Sequence, residues 1–97
     1  MQYVKDDFTV TFHVVNEDLT GSTVKIKYQK PSSRVIIEKN PSLINYEEQI
    51  VAYNFPKEDN DEIGEITIWL EITNGDNKIT NTPLPPVKIK IENLGKR

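Results

Sequence analysis

The chain has 97 residues, 36% of them hydrophobic and 28% charged, with a formal net charge of -3 and no cysteine. That length makes one domain with a single core, expected to span residues 1–97 with 93–97 as a polar tail, and to bury about 60–70% of its unfolded surface. The missing cysteines exclude a disulfide framework, a thiolate metal site and a cysteine nucleophile, and mild acidity with scattered lysines argues against a nucleic-acid partner.

The opening residues Met1–Asp7 carry neither a basic nor an apolar targeting segment, and no apolar run approaches bilayer length. The expectation is a soluble chain with no export signal and no membrane partner.

Phe8–Val15 alternates apolar Phe8, Val10, Phe12 and Val14 with Thr9, Thr11 and His13. Side chains of an extended chain alternate faces, so this is a half-buried strand. Turn formers Asn16–Asp18 and Leu19-Thr20-Gly21-Ser22 lead into a second alternating run, Thr23–Tyr28, with Val24, Ile26 and Tyr28 inward. Lys30–Ser33 reads as a turn through Pro31, and Arg34–Glu38 as the third strand. Lys39–Glu48 is broken by Asn40-Pro41-Ser42 and reads as a loop with room for a short strand, Leu43, Ile44 and Tyr46 being partly buried.

Gln49–Phe55 follows with apolar character on both faces, as a central strand has. A charged loop, Pro56–Glu62, precedes the longest strand, Gly64–Thr73. In that strand Ile66, Ile68, Leu70 and Ile72 share one face, and Glu65, Thr67, Trp69 and Glu71 the other. Asn74-Gly75 signals a two-residue type I′ hairpin, and Lys78–Thr80 the return strand. Thr82–Pro86 holds three prolines and reads as an edge or crossover segment, before a last strand, Val87–Glu92, with Val87, Ile89 and Ile91 inward. About seven short strands and no helical period predict an all-β, immunoglobulin-like antiparallel sandwich, with a small Greek-key barrel as the alternative.

Candidate chemistry is sparse. His13 is the single histidine and falls on an outer face without a nucleophile or an orienting partner, so it reads as a solvated strand residue. Glu58-Asp59-Asn60-Asp61-Glu62 concentrates carboxylates, but it departs from a calcium loop in having Ile63 at the third liganding position and no glutamate at the twelfth. A solvated acidic loop is the expectation there, with Ca²⁺ as the alternative. No catalytic, metal or cofactor site is predicted.

Binding is better supported. Trp69, the one tryptophan, stands on the polar face, where it serves either as a contact surface or as a large residue packed against a lysine stem. Trp69, Thr67, His13 and Tyr46 are the candidate interaction residues. Outward Lys25, Lys27, Lys88 and Lys90 solvate the sheets, and form a basic stripe if the second and last strands are neighbours.

Asp7-Phe8-Thr9-Val10, the run Asp18–Val24, Lys30-Pro31, Gly64-Glu65-Ile66 and the run Lys78–Thr82 together carry a resemblance. The chain resembles the immunoglobulin-like N-terminal domain of upper baseplate proteins of tailed phages that infect Gram-positive bacteria. The resemblance implies a non-enzymatic virion structural role, assembled in the host cytoplasm. It also implies docking onto other baseplate or tail proteins, in support of host attachment, and is compatible with a homo-oligomer. An adhesin-like or carbohydrate-binding module, with Trp69 stacking on a sugar beside Tyr46 or His13, is the alternative.

Overall fold

A computed structural model describes residues 2–3, 7–15 and 17–92. The strands are β1 (Gln2–Tyr3), β2 (Phe8–His13), β3 (Thr23–Gln29), β4 (Ile37–Lys39), β5 (Leu43–Asn45), β6 (Ile50–Phe55), β7 (Gly64–Thr73) and β8 (Ile79–Glu92). They form a five-stranded sheet in the order β1-β8-β7-β3-β4 and a three-stranded sheet in the order β2-β6-β5. All pairings are antiparallel except the short parallel contact of β1 with the end of β8. With β7 between β8 and β3, and β6 between β2 and β5, the order is that of an immunoglobulin-like sandwich. Among the described residues no pairing joins the two sheets, so the sandwich is open rather than a closed barrel.

The period-two pattern decides which faces meet. Ile66, Ile68, Leu70 and Ile72 are at most 1% exposed, and pack with Val24, Ile26 and Tyr28 of β3 against Phe8, Val10 and Phe12 of β2 and Val51, Tyr53 and Phe55 of β6. Each fully buried aliphatic side chain there contributes about 1.5–3 kcal/mol. At one end of the core Phe8 stacks on Phe55 with centroids 5.0 Å apart, and Tyr28 tilts against Phe55 at 4.7 Å. Ile91 is buried, whereas Val87 and Ile89, expected fully inside, only lean against the core from the edge.

Several expected elements are corrected. The third strand is Ile37–Lys39 rather than Arg34–Glu38, and Val35 and Ile36 are 67% and 53% exposed. Local bonds explain the shift. Ser33 N–H returns to the Lys30 carbonyl, Val35 N–H donates to Ser33 Oγ, and Gln29 Nε2 donates to the Arg34 carbonyl, so 30–36 is held as a loop. The first long strand ends at His13; Val14 still bonds to Gln49, but Val15 is 72% exposed. The loop Lys39–Glu48 contains β5 as its short strand, with Ile44 against the core but Leu43 and Tyr46 55% and 48% exposed.

The Asn74-Gly75 hairpin forms with different turn chemistry. Neither residue has positive φ; Asn77 does, at 62°. Asn74 Oδ1 accepts from the N–H groups of Asp76 and Lys78, and Asn77 N–H donates to the Asn74 carbonyl. These bonds fix a three-residue loop with Asn77 left-handed at its end. The return strand and the last strand are one strand, β8, since β7 is long enough to pair with both halves.

Two buried residues were not legible as core. Leu19 is fully buried because Gln49, itself at φ 58°, receives the Leu19 N–H on its side-chain oxygen while its amide nitrogen donates to the Val14 and Glu17 carbonyls. Asn60, in the acidic loop, is 1% exposed. The expected tail 93–97 and the side chain of Tyr3 lie outside the described residues.

Candidate interaction site

Pairing along β7 is regular except at one point. Ile68 faces Val87 and Leu70 faces Thr82, so Pro83–Pro86 stand opposite Trp69 alone and bulge out of the ladder. The proline-rich stretch is therefore an irregularity at the open edge of β8, a place where missing N–H donors cost no ladder bond. On its other side Trp69 pairs with Lys27 of β3.

The result is a hollow of about 460 Å³ on the outer face of the five-stranded sheet. Thr67, Trp69 and Glu71 of β7 run through it, Lys27 and Gln29 border it on β3, and Pro86, Asn81 and Ile36 close the flanks. Trp69 is half-buried, so the indole is partly sheltered by these neighbours while one part remains in contact with water. Exposed Ile36, displaced from the expected third strand, adds apolar wall to the hollow.

The charges around the indole are paired. Lys27 Nζ lies 2.7 Å from Glu38 and 3.7 Å from Glu71. The hydrogen bond to Glu38 raises the Lys27 pKa, burial opposes it, and the Glu71 charge adds to the rise. The same hydrogen bond holds the Glu38 carboxyl below its ordinary range. Lys25 donates to Asn40 Oδ1 at 2.7 Å, and Lys88 pairs with Glu65 at 3.8 Å. β3 and β8 flank β7 rather than each other, so Glu65 and Glu71 separate the outward lysines and no basic stripe forms.

The four candidate residues divide between the sheets. Thr67 and Trp69 share the hollow, whereas exposed His13 lies on β2 and Tyr46 in the turn after β5, both on the three-stranded side. A site joining Trp69 to either His13 or Tyr46 is not formed. Ile36, Pro86 and Lys27 were missed as site residues. The bulge that brings Pro86 beside Trp69 depends on cross-strand register, which only the count of prolines opposite a long strand hinted at.

In the acidic loop, Asp61 Oδ1 accepts from Lys30 at 3.0 Å, and Glu62 accepts from the Ser32 hydroxyl and N–H. Asp59 stands by the Tyr28 hydroxyl at the aromatic end of the core. The carboxylates thus turn to separate partners, and among the described residues no three His, Asp or Glu side chains converge as metal ligands. No family model, curated protein or solved structure matches the chain.

Proposed function

We propose that this chain is a non-enzymatic structural module of a phage virion, working in the baseplate or tail through protein–protein contacts in support of host attachment. One observation carries the contact reading. A lone tryptophan occupies a hollow with apolar flanks at the middle of a sheet face whose charges are paired with one another. Tryptophan in a sheltered pocket surrounded by polar groups is the composition of an interface hot spot, since the indole buries a large area at small entropic cost. The virion assignment rests on the sequence resemblance. The partners are other baseplate or tail proteins.

The test is co-migration of the purified chain with baseplate and tail proteins. Stoichiometric binding that sugars do not disturb and that Trp69→Ala weakens at least about tenfold is the expected result. Saturable quenching of Trp69 fluorescence by a cell-wall saccharide, with no protein partner retained, would instead make the chain a carbohydrate-binding module.

A further inference from the structure

The edges of the two sheets are guarded unequally. An edge strand exposes unpaired N–H and C=O groups, which proteins normally blunt with charge, proline, a bulge or shortness. β8, which the two-residue β1 covers only at Ile91 and Glu92, carries Pro83, Pro85, Pro86, Lys88 and Lys90 along the part left open. β4 has three residues, among them Glu38 and Lys39, and β5 has three residues after Pro41. β2 has none of these devices. Phe8–His13 is a six-residue edge without charge, proline, glycine or bulge, in a chain that is 28% charged.

Its free groups can be assigned. Val14 N–H donates to the Gln49 carbonyl at 2.9 Å, and the register continues through Phe12–Val51, Val10–Tyr53 and Phe8–Phe55. Bonded and non-bonded pairs alternate in an antiparallel ladder, so the even residues bond to β6 and Thr9, Thr11 and His13 direct their backbone groups outward. β6 agrees from its other side. Ala52, opposite Thr11, gives its carbonyl to Ser42 N–H at 2.9 Å, and Asn54, opposite Thr9, donates its N–H to Ser42 Oγ at 2.9 Å. Next to this edge a hollow of about 190 Å³ opens between the sheets, with Phe12 and Val14 on one side and Leu70 and Pro83 on the other.

We propose that β2 is a homotypic docking edge, at which a second copy of this chain adds its own β2 antiparallel and continues the three-stranded sheet into one of six strands. The edge is complementary to itself. About a twofold axis at Thr11, the two Thr11 residues exchange both backbone bonds and Thr9 of each copy does so with His13 of the other, which engages every outward group on both edges. The same register sets Val10 beside Phe12 and Phe8 beside Val14 of the second copy, β-branched against aromatic in each case. The outward row becomes Thr11 against Thr11 and Thr9 against His13. With no charged residue on β2, the net charge of -3 places no like charges across the seam. The edge lies on the other sheet from Trp69, so this contact is independent of the one proposed above.

Sedimentation velocity and amide exchange of the full chain test this together. Over roughly a hundredfold rise in concentration the mass is expected to move from monomer to dimer, and exchange at Thr9, Thr11 and His13 to slow about tenfold or more. Thr11→Lys sets two like charges facing each other at the axis, and Thr11→Pro removes an outward N–H without touching the ladder to β6. Each is expected to raise the dimer dissociation constant at least about tenfold with the circular dichroism spectrum unchanged. Should Thr11→Pro fail to fold, Thr11→Lys and the exchange pattern decide. A chain that stays monomeric, a dimer indifferent to Thr11→Lys, or a monomer that accepts only an unrelated uncharged strand peptide at β2 overturns the proposal.

Discussion

Gly64 opens the long strand with φ at +133°, and a Cβ built there would lie 2.7 Å from Pro31 Cβ. Both the backbone conformation and the space exclude a side chain, so the turn at Pro31 and the start of β7 are fitted to each other through one hydrogen atom. Gly64→Ala is expected to cost about 1–3 kcal/mol, read as a lower urea midpoint at unchanged slope. Four residues on, Ile68 has no exposed surface. Ile68→Ala is expected to cost about 2–4 kcal/mol through lost transfer energy and the cavity left behind, and an unchanged midpoint would remove it from the core. Trp69 is its neighbour in sequence, but alternation turns it to the other face, so Trp69→Ala is expected to affect partner binding far more than stability.

Among the elements, the β7–β8 hairpin shows how a local signal can be right about position and wrong about mechanism. Asn74-Gly75 does mark the turn, yet the left-handed residue is Asn77, because the Asn74 side chain takes two backbone N–H groups and shifts the loop by its own bonding. Asn77→Ala is therefore expected to lower stability by about 1 kcal/mol, whereas Asn77→Gly is neutral or slightly stabilising, by equilibrium denaturation. The prolines of β8 act at the same scale. They interrupt the side of β8 that stays open up to its contact with β1 at Ile91 and Glu92, and Pro86 forms part of one wall of the Trp69 hollow.

For the whole molecule, pH dependence follows from the aromatic end of the core. Burial, followed by the Asp59 charge, pushes the Tyr28 hydroxyl well above its ordinary value of 10.0, and Tyr53 is raised by the same two causes. The folded state keeps these protons where the unfolded chain loses them. Their contribution is complete below about pH 10 and declines as pH rises through and above that value. Denaturation midpoints are thus expected to be flat to pH 9 and to fall by pH 11, with Tyr28→Phe reducing the alkaline fall. Glu38 and Asp61, held below their ordinary range first by hydrogen bonds from Lys27 and Lys30, act at the other end. Their contribution is present above the ordinary carboxylate range and is lost as pH falls below it. Both carboxylates are exposed, so the acid effect is small and is expected to weaken further in high salt.

The period-two pattern alone determined the sandwich class, the bounds of β7 and which of its faces is core, since one buried face leaves a strand no freedom of register. It also placed Trp69 outside. Tertiary structure decided what alternation does not encode: that Arg34–Ile36 is loop because side chains capture its backbone, that Leu19 is core because Gln49 folds the preceding loop inward, and that β8 is one strand bulged opposite Trp69. It decided, too, that Trp69 and Thr67 stand apart from His13 and Tyr46, because residues on different strands come together only through sheet order. That order depends on long-range pairing, to which each strand contributes only half of the contact.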